Sequence, residues 1–216
     1  MDFYEKLEKS GLAPVVKLNS AKNALPLAEA LLAGGLKVAE ITFRTDAAEE
    51  SIRTIAEKCG DMLVGAGTVV NVEQAKRAIG AGAQFLVSPG FNQKVVEYAI
   101  QSGVPILPGG CTPSEIMSVM ELNLKVVKFF PANVFGGLGT IKNYAPVFPS
   151  VRFMPTGGVS MDNLLEYLAH PAIIAVGGSW MVKDSYIDEG NFAKITELTK
   201  QAVDAIAGLR AQEGSR

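Results

Sequence analysis

The stretch Val126-Val127-Lys128-Phe129-Phe130-Pro131-Ala132 sets the reading of the whole chain. Valine and phenylalanine favour a pleated, buried strand, and Pro131 ends it, because proline brings no N–H to a ladder. Lys128 stands in the middle of that apolar run, where a charge is costly to bury. Two readings fit. One is a lysine near a strand end whose stem crosses apolar surface and whose ammonium reaches water. The other is a lysine kept for chemistry, an amine that burial primes to attack a carbonyl.

Runs of the same kind recur on both sides of this one. Eight strands are expected, at residues 14–18, 38–43, 63–67, 85–88, 105–107, 126–130, 152–155 and 173–176. The stretches between them carry helix signals. Asp46 with Glu49 and Thr112 with Glu115 read as capping boxes, Pro113 takes the favoured first helical position, and Asn71 and Ser160 read as N-caps. Apolar residues line one helix face at Leu25, Ala28, Leu31 and Leu32, and again at Val95, Val96, Ala99 and Ile100. Gly34, Gly80 or Gly82, and Gly103 stop helices near the expected points. The sixth unit is irregular, with glycines and prolines between 133 and 150 that leave room for a short helix at 141–144.

Eight strand–helix units at this spacing predict a single (β/α)8 TIM barrel with a short N-terminal helix, residues 1–216 forming one domain and 211–216 a frayed polar tail. A doubly wound open sheet is the alternative, since strand order is not written in a sequence. Against it, no G-x-G-x-x-G follows the first strand.

Composition narrows the function. Hydrophobic residues make up 48 % and charged residues 19 %, and 22 glycines suit buried strands and tight turns. The formal net charge is −2 with basic residues scattered, which argues against nucleic acid and anionic membrane and for a small-molecule partner. No stretch has the make-up of a signal peptide or a membrane span. Cys59 and Cys111 match no metal or redox spacing, so free thiols in a reducing, cytoplasmic setting are expected. With His170 the only histidine, zinc sites built on two or three histidines are excluded.

In a barrel, chemistry gathers at the C-terminal ends of the strands. Glu40, Thr42 and Arg44 share one parity on the second strand. An internal salt bridge is one reading of that set; a catalytic carboxylate beside an arginine for a substrate carboxylate is the other. The third strand ends at Thr68, the fourth at Ser88-Pro89-Gly90, and Phe130 shares the face of Lys128. Thr156-Gly157-Gly158 and Gly177-Gly178-Ser179 follow the seventh and eighth strands; one reading is two plain glycine turns, the other a pair of loops whose bared backbone N–H groups bind phosphate, as loops at these two positions of a barrel often do. One amine, one carboxylate, one arginine and a phosphate cradle suit Schiff-base chemistry. A non-catalytic barrel that binds a phosphorylated ligand uses the same parts.

The segments VAEITFRT at 38–45, VGAGTV at 64–69, SPG at 88–90, KFFPA at 128–132, PTGGVS at 155–160 and GGSW at 177–180 together resemble the 2-dehydro-3-deoxy-phosphogluconate aldolases, a family that includes 4-hydroxy-2-oxoglutarate aldolases. The resemblance implies a homotrimer of (β/α)8 barrels and a class I aldolase, free of metal and cofactor, that yields pyruvate and glyceraldehyde 3-phosphate. It implies Lys128 as the Schiff-base lysine and Glu40 as acid/base. Arg44 and Thr68 would hold the carboxylate end, Pro89 and Phe130 would shape the pocket, and Thr156 would line the mouth. Gly157, Gly158 and Ser179 would hold phosphate. An aldolase for a related 2-keto-3-deoxy sugar acid is the alternative; the similar phosphogalactonate aldolases tend to lack an arginine in this stretch, so Arg44 bears on the choice. At Gly110 and Cys111 this chain departs from the family, which more often has a bulkier residue and a serine. Lys17, on the first strand, is a rival amine.

Overall fold

Short apolar runs become strands and the stretches between them become helices, in the order α1 (Phe3–Ser10), β1 (Leu12–Val16), α2 (Ala24–Ala33), β2 (Val38–Thr42), α3 (Ala48–Lys58), β3 (Leu63–Gly67), α4 (Val72–Gly80), β4 (Leu86–Val87), α5 (Gln93–Gln101), β5 (Ile106–Leu107), α6 (Pro113–Glu121), β6 (Val126–Phe129), α7 (Gly137–Tyr144), β7 (Arg152–Pro155), α8 (Leu164–Leu168), β8 (Val176–Gly178), α9 (Asp184–Asp188) and α10 (Phe192–Glu213). The structure, a computed structural model, describes residues 1–213.

All strand pairs are parallel, as βα repeats require. The eight strands do not run as one ladder. Six form a sheet in the order β5-β4-β3-β2-β1-β8, and β6 and β7 form a second. Single parallel bridges join the two at both seams, Gly109 to Lys128 on one side, Phe153 to Ile173 and Thr156 to Gly177 on the other. Proline accounts for the gaps. Pro105 and Pro108 flank β5, and Pro155 has no N–H for the rung after Ile174 N–H to Phe153 O.

Several boundaries differ from the sequence reading. β1 starts at Leu12, because Leu12, Ala13 and Pro14 pair with Val176, Gly177 and Gly178. The last strand therefore contains the glycines that read as a turn. Helix α3 starts at Ala48 behind Ala47, with no side-chain cap, and Glu49 bonds Arg53 at 3.2 Å and Arg77 at 2.7 Å instead of closing a box with Asp46. Asn163, not Ser160, precedes α8, and its Oδ1 accepts the Ser160 N–H at 2.9 Å. Helix α7 starts at Gly137, four residues earlier than expected. The Thr112–Glu115 box and the Asn71 cap are present. Helix α10 runs on to Glu213, and near its end the Arg210 guanidinium donates to the carbonyls of Glu8 and Lys9; residues 214–216 of the expected tail lie outside the described residues.

Two apolar clusters hold the fold. One lies between strands and helices, with Leu27, Leu31, Ile52, Ile55, Val95 and Ile116 among its members. The other fills the space enclosed by the strands: Ala13, Val38, Phe85, Val87, Leu107, Val126 and Met154, joined by Phe3 and Leu7 of α1. Phe3 meets Phe85 with ring centroids 4.9 Å apart, so α1 seals the N-terminal ends of the strands. Gly65 makes room for Phe85, whose ring occupies the place of a Cβ there. Each such buried ring is worth roughly 1.5–3 kcal/mol. Among the described residues no helix is long and apolar enough to cross a membrane.

Candidate active site

The strand period of two builds the site. Val38 and Val126 point into the enclosed cluster, and two residues further along each strand, on the same faces, come Glu40 and Lys128. Lys128 Nζ lies 3.0 Å from Glu40 Oε1. Lys128 is 4 % exposed and Glu40 fully buried. An ion pair taken this far from water gains much of its Coulomb energy back only against a large desolvation cost, so it is a poor device for stability alone.

Around the pair, space is cut to fit. A Cβ on Gly67 would collide with the Glu40 carboxylate, and one on Gly177 with the Thr156 hydroxyl. Glu40 Oε2 and Thr156 Oγ1 are buried without a hydrogen-bond partner. Buried polar atoms are rarely left so.

The rim carries the other residues singled out in the sequence. Thr42 Oγ1 donates to Val16 O at 2.8 Å and accepts from Arg44 Nε at 3.0 Å, which steers an exposed guanidinium at the end of β2. Thr68, just past β3, has φ +57°, a conformation that a β-branched residue adopts under constraint. Pro89 lies against Gly109, where a Cβ would strike its backbone. The Phe130 ring centroid is 5.3 Å from Lys128 Nζ, and the residue is 37 % exposed, so it covers the amine from the solvent side. Gly157 and Gly158, with φ +95° and +73°, turn tightly after β7, and the carbonyl of Gly158 accepts from Asn163 Nδ2 at 2.9 Å. Ser179 is exposed directly after β8. Lys17, the rival amine, is drawn away to Asp184 at 2.5 Å.

Cavity size does not mark the chemistry. A cleft of about 510 Å³ opens at the opposite ends of the strands, lined by Lys6, Lys9, Lys37 and Arg210 among others. It contains neither member of the buried pair. Among the described residues no group of three or more His, Cys, Asp or Glu side chains comes together to hold a metal ion.

One contact has no signal in the sequence pattern. Cys111 Sγ donates to the Phe130 carbonyl at 3.0 Å, and burial holds that thiol above its ordinary pKa, so it stays protonated. Only the three-dimensional approach of β5 and β6 brings these residues together.

A parallel α/β fold with an amine and a carboxylate paired and buried on the inward faces of β2 and β6 has the parts of one class, the lysine-dependent lyases. The chain belongs to the KDPG and KHG aldolase family, whose model matches residues 3–198. A 2-dehydro-3-deoxy-phosphogluconate aldolase of Treponema pallidum is 47 % identical over 94 % of this chain and 97 % of its own. The crystal structure of a KDPG aldolase from Legionella pneumophila, holding pyruvate as a covalent carbinolamine intermediate, superposes with a TM-score of 0.90 at 38 % identity, over 94 % of this chain and 98 % of that one. The 2-keto-3-deoxy-6-phosphogluconate aldolase of Zymomonas mobilis with 3-phosphoglycerate gives 0.88 at 40 % identity, over 94 % and 95 %.

Proposed function

We propose that the chain is a class I aldolase that cleaves 2-dehydro-3-deoxy-6-phosphogluconate to pyruvate and glyceraldehyde 3-phosphate, with 4-hydroxy-2-oxoglutarate as a second substrate. The observation that carries this reading is the buried pair of Lys128 and Glu40, 3.0 Å apart. Glu40 takes the proton that the amine must shed, Lys128 Nζ attacks the C2 ketone, and Glu40 returns that proton to the carbinolamine hydroxyl, so that water leaves, an iminium forms and the carboxylate is restored. Glu40 then takes the proton of the C4 hydroxyl as the C3–C4 bond breaks and its electrons move to the iminium nitrogen. The aldehyde departs. Protonation of the enamine at C3 and hydrolysis release pyruvate and restore the amine, so the imine through Lys128 needs no added cofactor.

Arg44 and Thr68 hold the keto-acid carboxylate, Pro89 and Phe130 wall the pocket, and Thr156 lines it between the two substrate ends. Gly157, Gly158 and Ser179 take the phosphate on bared N–H groups and a hydroxyl. The Legionella protein's covalent pyruvate and the Zymomonas protein's 3-phosphoglycerate support the two ends of this assignment.

The two sheets and their bridged seams support one closed (β/α)8 barrel as a single domain over residues 1–216. The family resemblance implies a homotrimer, exposed Val134, Phe135, Met117 and Met120 offer apolar surface for association, and sedimentation at three chain masses checks the number. Two free, buried cysteines suit a cytoplasmic setting.

Borohydride with pyruvate tests the chemistry. Mass mapping is expected to place a reduced pyruvyl group on Lys128, and the keto-acid phosphate to release pyruvate in the presence of chelator. An adduct elsewhere, or ligand binding without turnover, overturns the reading.

A further inference from the structure

The strand end that carries Phe130 is fastened in an irregular way. Along the seam between β5 and β6, Lys128 N–H donates to Pro108 O at 2.9 Å and Gly110 N–H donates to Lys128 O at 3.0 Å. A parallel ladder advances two residues per rung, so the next donor for the Phe130 carbonyl is the Thr112 N–H. That donor is engaged elsewhere. Thr112 N–H donates to Glu115 Oε2 at 2.9 Å and Cys111 N–H to the same oxygen at 3.0 Å, in the box that starts α6.

The Cys111 side chain takes over the missing rung, with Sγ 3.0 Å from the Phe130 carbonyl oxygen. Cys111 is itself fixed, since its carbonyl accepts from the Tyr144 hydroxyl at 3.2 Å. On the far side of β6, Thr156 N–H donates to Phe129 O at 2.9 Å and Ala132 N–H to Thr156 O at 2.8 Å. Phe129 and Ala132 are therefore held by Thr156, just past β7, whereas the peptide between them, which bears the ring facing Lys128, is held by the Cys111 thiol from the loop after β5.

We propose that Cys111 is a positioning residue of the aldol site: its thiol sets the Phe130 peptide, and through it the ring that covers the Lys128 amine. The proposal rests on the Schiff-base reading above. Cys111 touches no reacting atom. With the thiol protonated, it acts as a neutral donor that a serine hydroxyl can replace and an alanine or valine side chain cannot.

The test compares Cys111→Ser, Cys111→Ala and Cys111→Val with the wild type in three readouts: kcat and KM on the keto-acid phosphate, the rate of borohydride trapping with pyruvate, and Tm. The expected result is that alanine and valine lower the trapping rate and kcat/KM by about 5-fold or more, the scale of one lost hydrogen bond. Serine is expected to keep both near wild type. In a Phe130→Leu background the alanine change is expected to have little further effect, as coupling through the ring demands. Wild-type kinetics in the alanine and valine variants would overturn the proposal. So would an equal loss in all three variants, which would mean packing rather than donation, or a loss that persists undiminished in Phe130→Leu. A wild type that forms no pyruvate adduct would sink the aldolase reading first and this proposal with it.

Discussion

Lys128 Nζ and Glu40 Oε1 stand 3.0 Å apart in a space that water barely reaches. Removing one partner has two separable consequences. For Glu40→Gln the expectation is a fall in cleavage of about 10²-fold or more, the usual weight of a positioned acid/base, with pyruvate still trapped slowly on Lys128. Lys128→Met is expected to abolish both and to cost roughly 3 kcal/mol, because a buried carboxylate loses its counter-charge. Adding Glu40→Leu to Lys128→Met should recover stability but no activity. Thermal unfolding alongside trapping separates the two, and a double variant no more stable than Lys128→Met would show that the pair is not the source of the loss.

Gly67 lies where any side chain would collide with the Glu40 carboxylate. A Gly67→Ala protein is therefore expected to keep its fold, with Glu40 displaced from Lys128. A displacement of an ångström is enough for about 100-fold in kcat. The contrast with Gly60→Ala, where a Cβ meets open space, checks that the effect is local. Equal kinetics in the two variants would remove Glu40's placement from the account.

Much of this site is legible in the order of residues. The period of two along 126–130 and along 38–43 places Lys128 and Glu40 on inward faces, and the inward cluster beneath them contains Val126 and Val38 as that period demands. The glycines after Thr156 and before Ser179 read as turns; only the first pair is one. Gly177 and Gly178 belong to β8, since a strand can be built from glycine where a neighbour's side chain fills the missing Cβ position, here Thr156 and Trp180. The capping box at Asp46 failed because Glu49 had better partners in Arg53 and Arg77, one of them 28 residues away and so invisible to a local pattern. The thiol on Phe130 is another such long-range contact.

Lys17 carries the other amine of the strand ends, and its salt bridge to Asp184 is partly exposed. Surface pairs of this kind are worth about 0–1 kcal/mol. Lys17→Met is expected to shift Tm by no more than a few degrees and to leave pyruvate trapping at wild-type rate. A trapped adduct that moves or disappears in this variant would transfer the nucleophile's role from Lys128 to Lys17.

Glu115 links stability to pH. Burial works to raise its pKa, but bonds from the Thr112 hydroxyl and from the backbone N–H groups of Cys111 and Thr112 outweigh it and hold the carboxyl below its ordinary range. A depressed carboxylate stabilises the fold above its unfolded pKa and loses that contribution as pH falls through the folded value. Glu115→Ala is expected to cost about 1 kcal/mol near neutral pH, the scale of a capping interaction, with wild type and variant converging as the pH falls through the depressed folded pKa. Denaturant titrations at a series of pH values measure the gap; a gap that stays constant down to pH 3 would exclude the carboxylate charge as its origin.

The glycine turn after β7 separates substrate selectivity from catalysis. Gly158 has φ +73°, and a Cβ there would strike Asn133, so Gly158→Ala both strains the backbone and shifts the N–H groups assigned to phosphate. Ser179→Ala removes one hydroxyl without strain. If the turn holds the phosphate, both variants raise KM for 2-dehydro-3-deoxy-6-phosphogluconate, Gly158→Ala by about 10-fold or more. Neither is expected to change kcat/KM for 4-hydroxy-2-oxoglutarate, which has no phosphate to place. Under the proposed mechanism both substrates react through Lys128 and Glu40, so a defect in the chemical step would appear in both. A parallel loss on the two substrates would therefore assign the turn to the scaffold of the site, whereas a loss confined to the phosphorylated one assigns it to recognition.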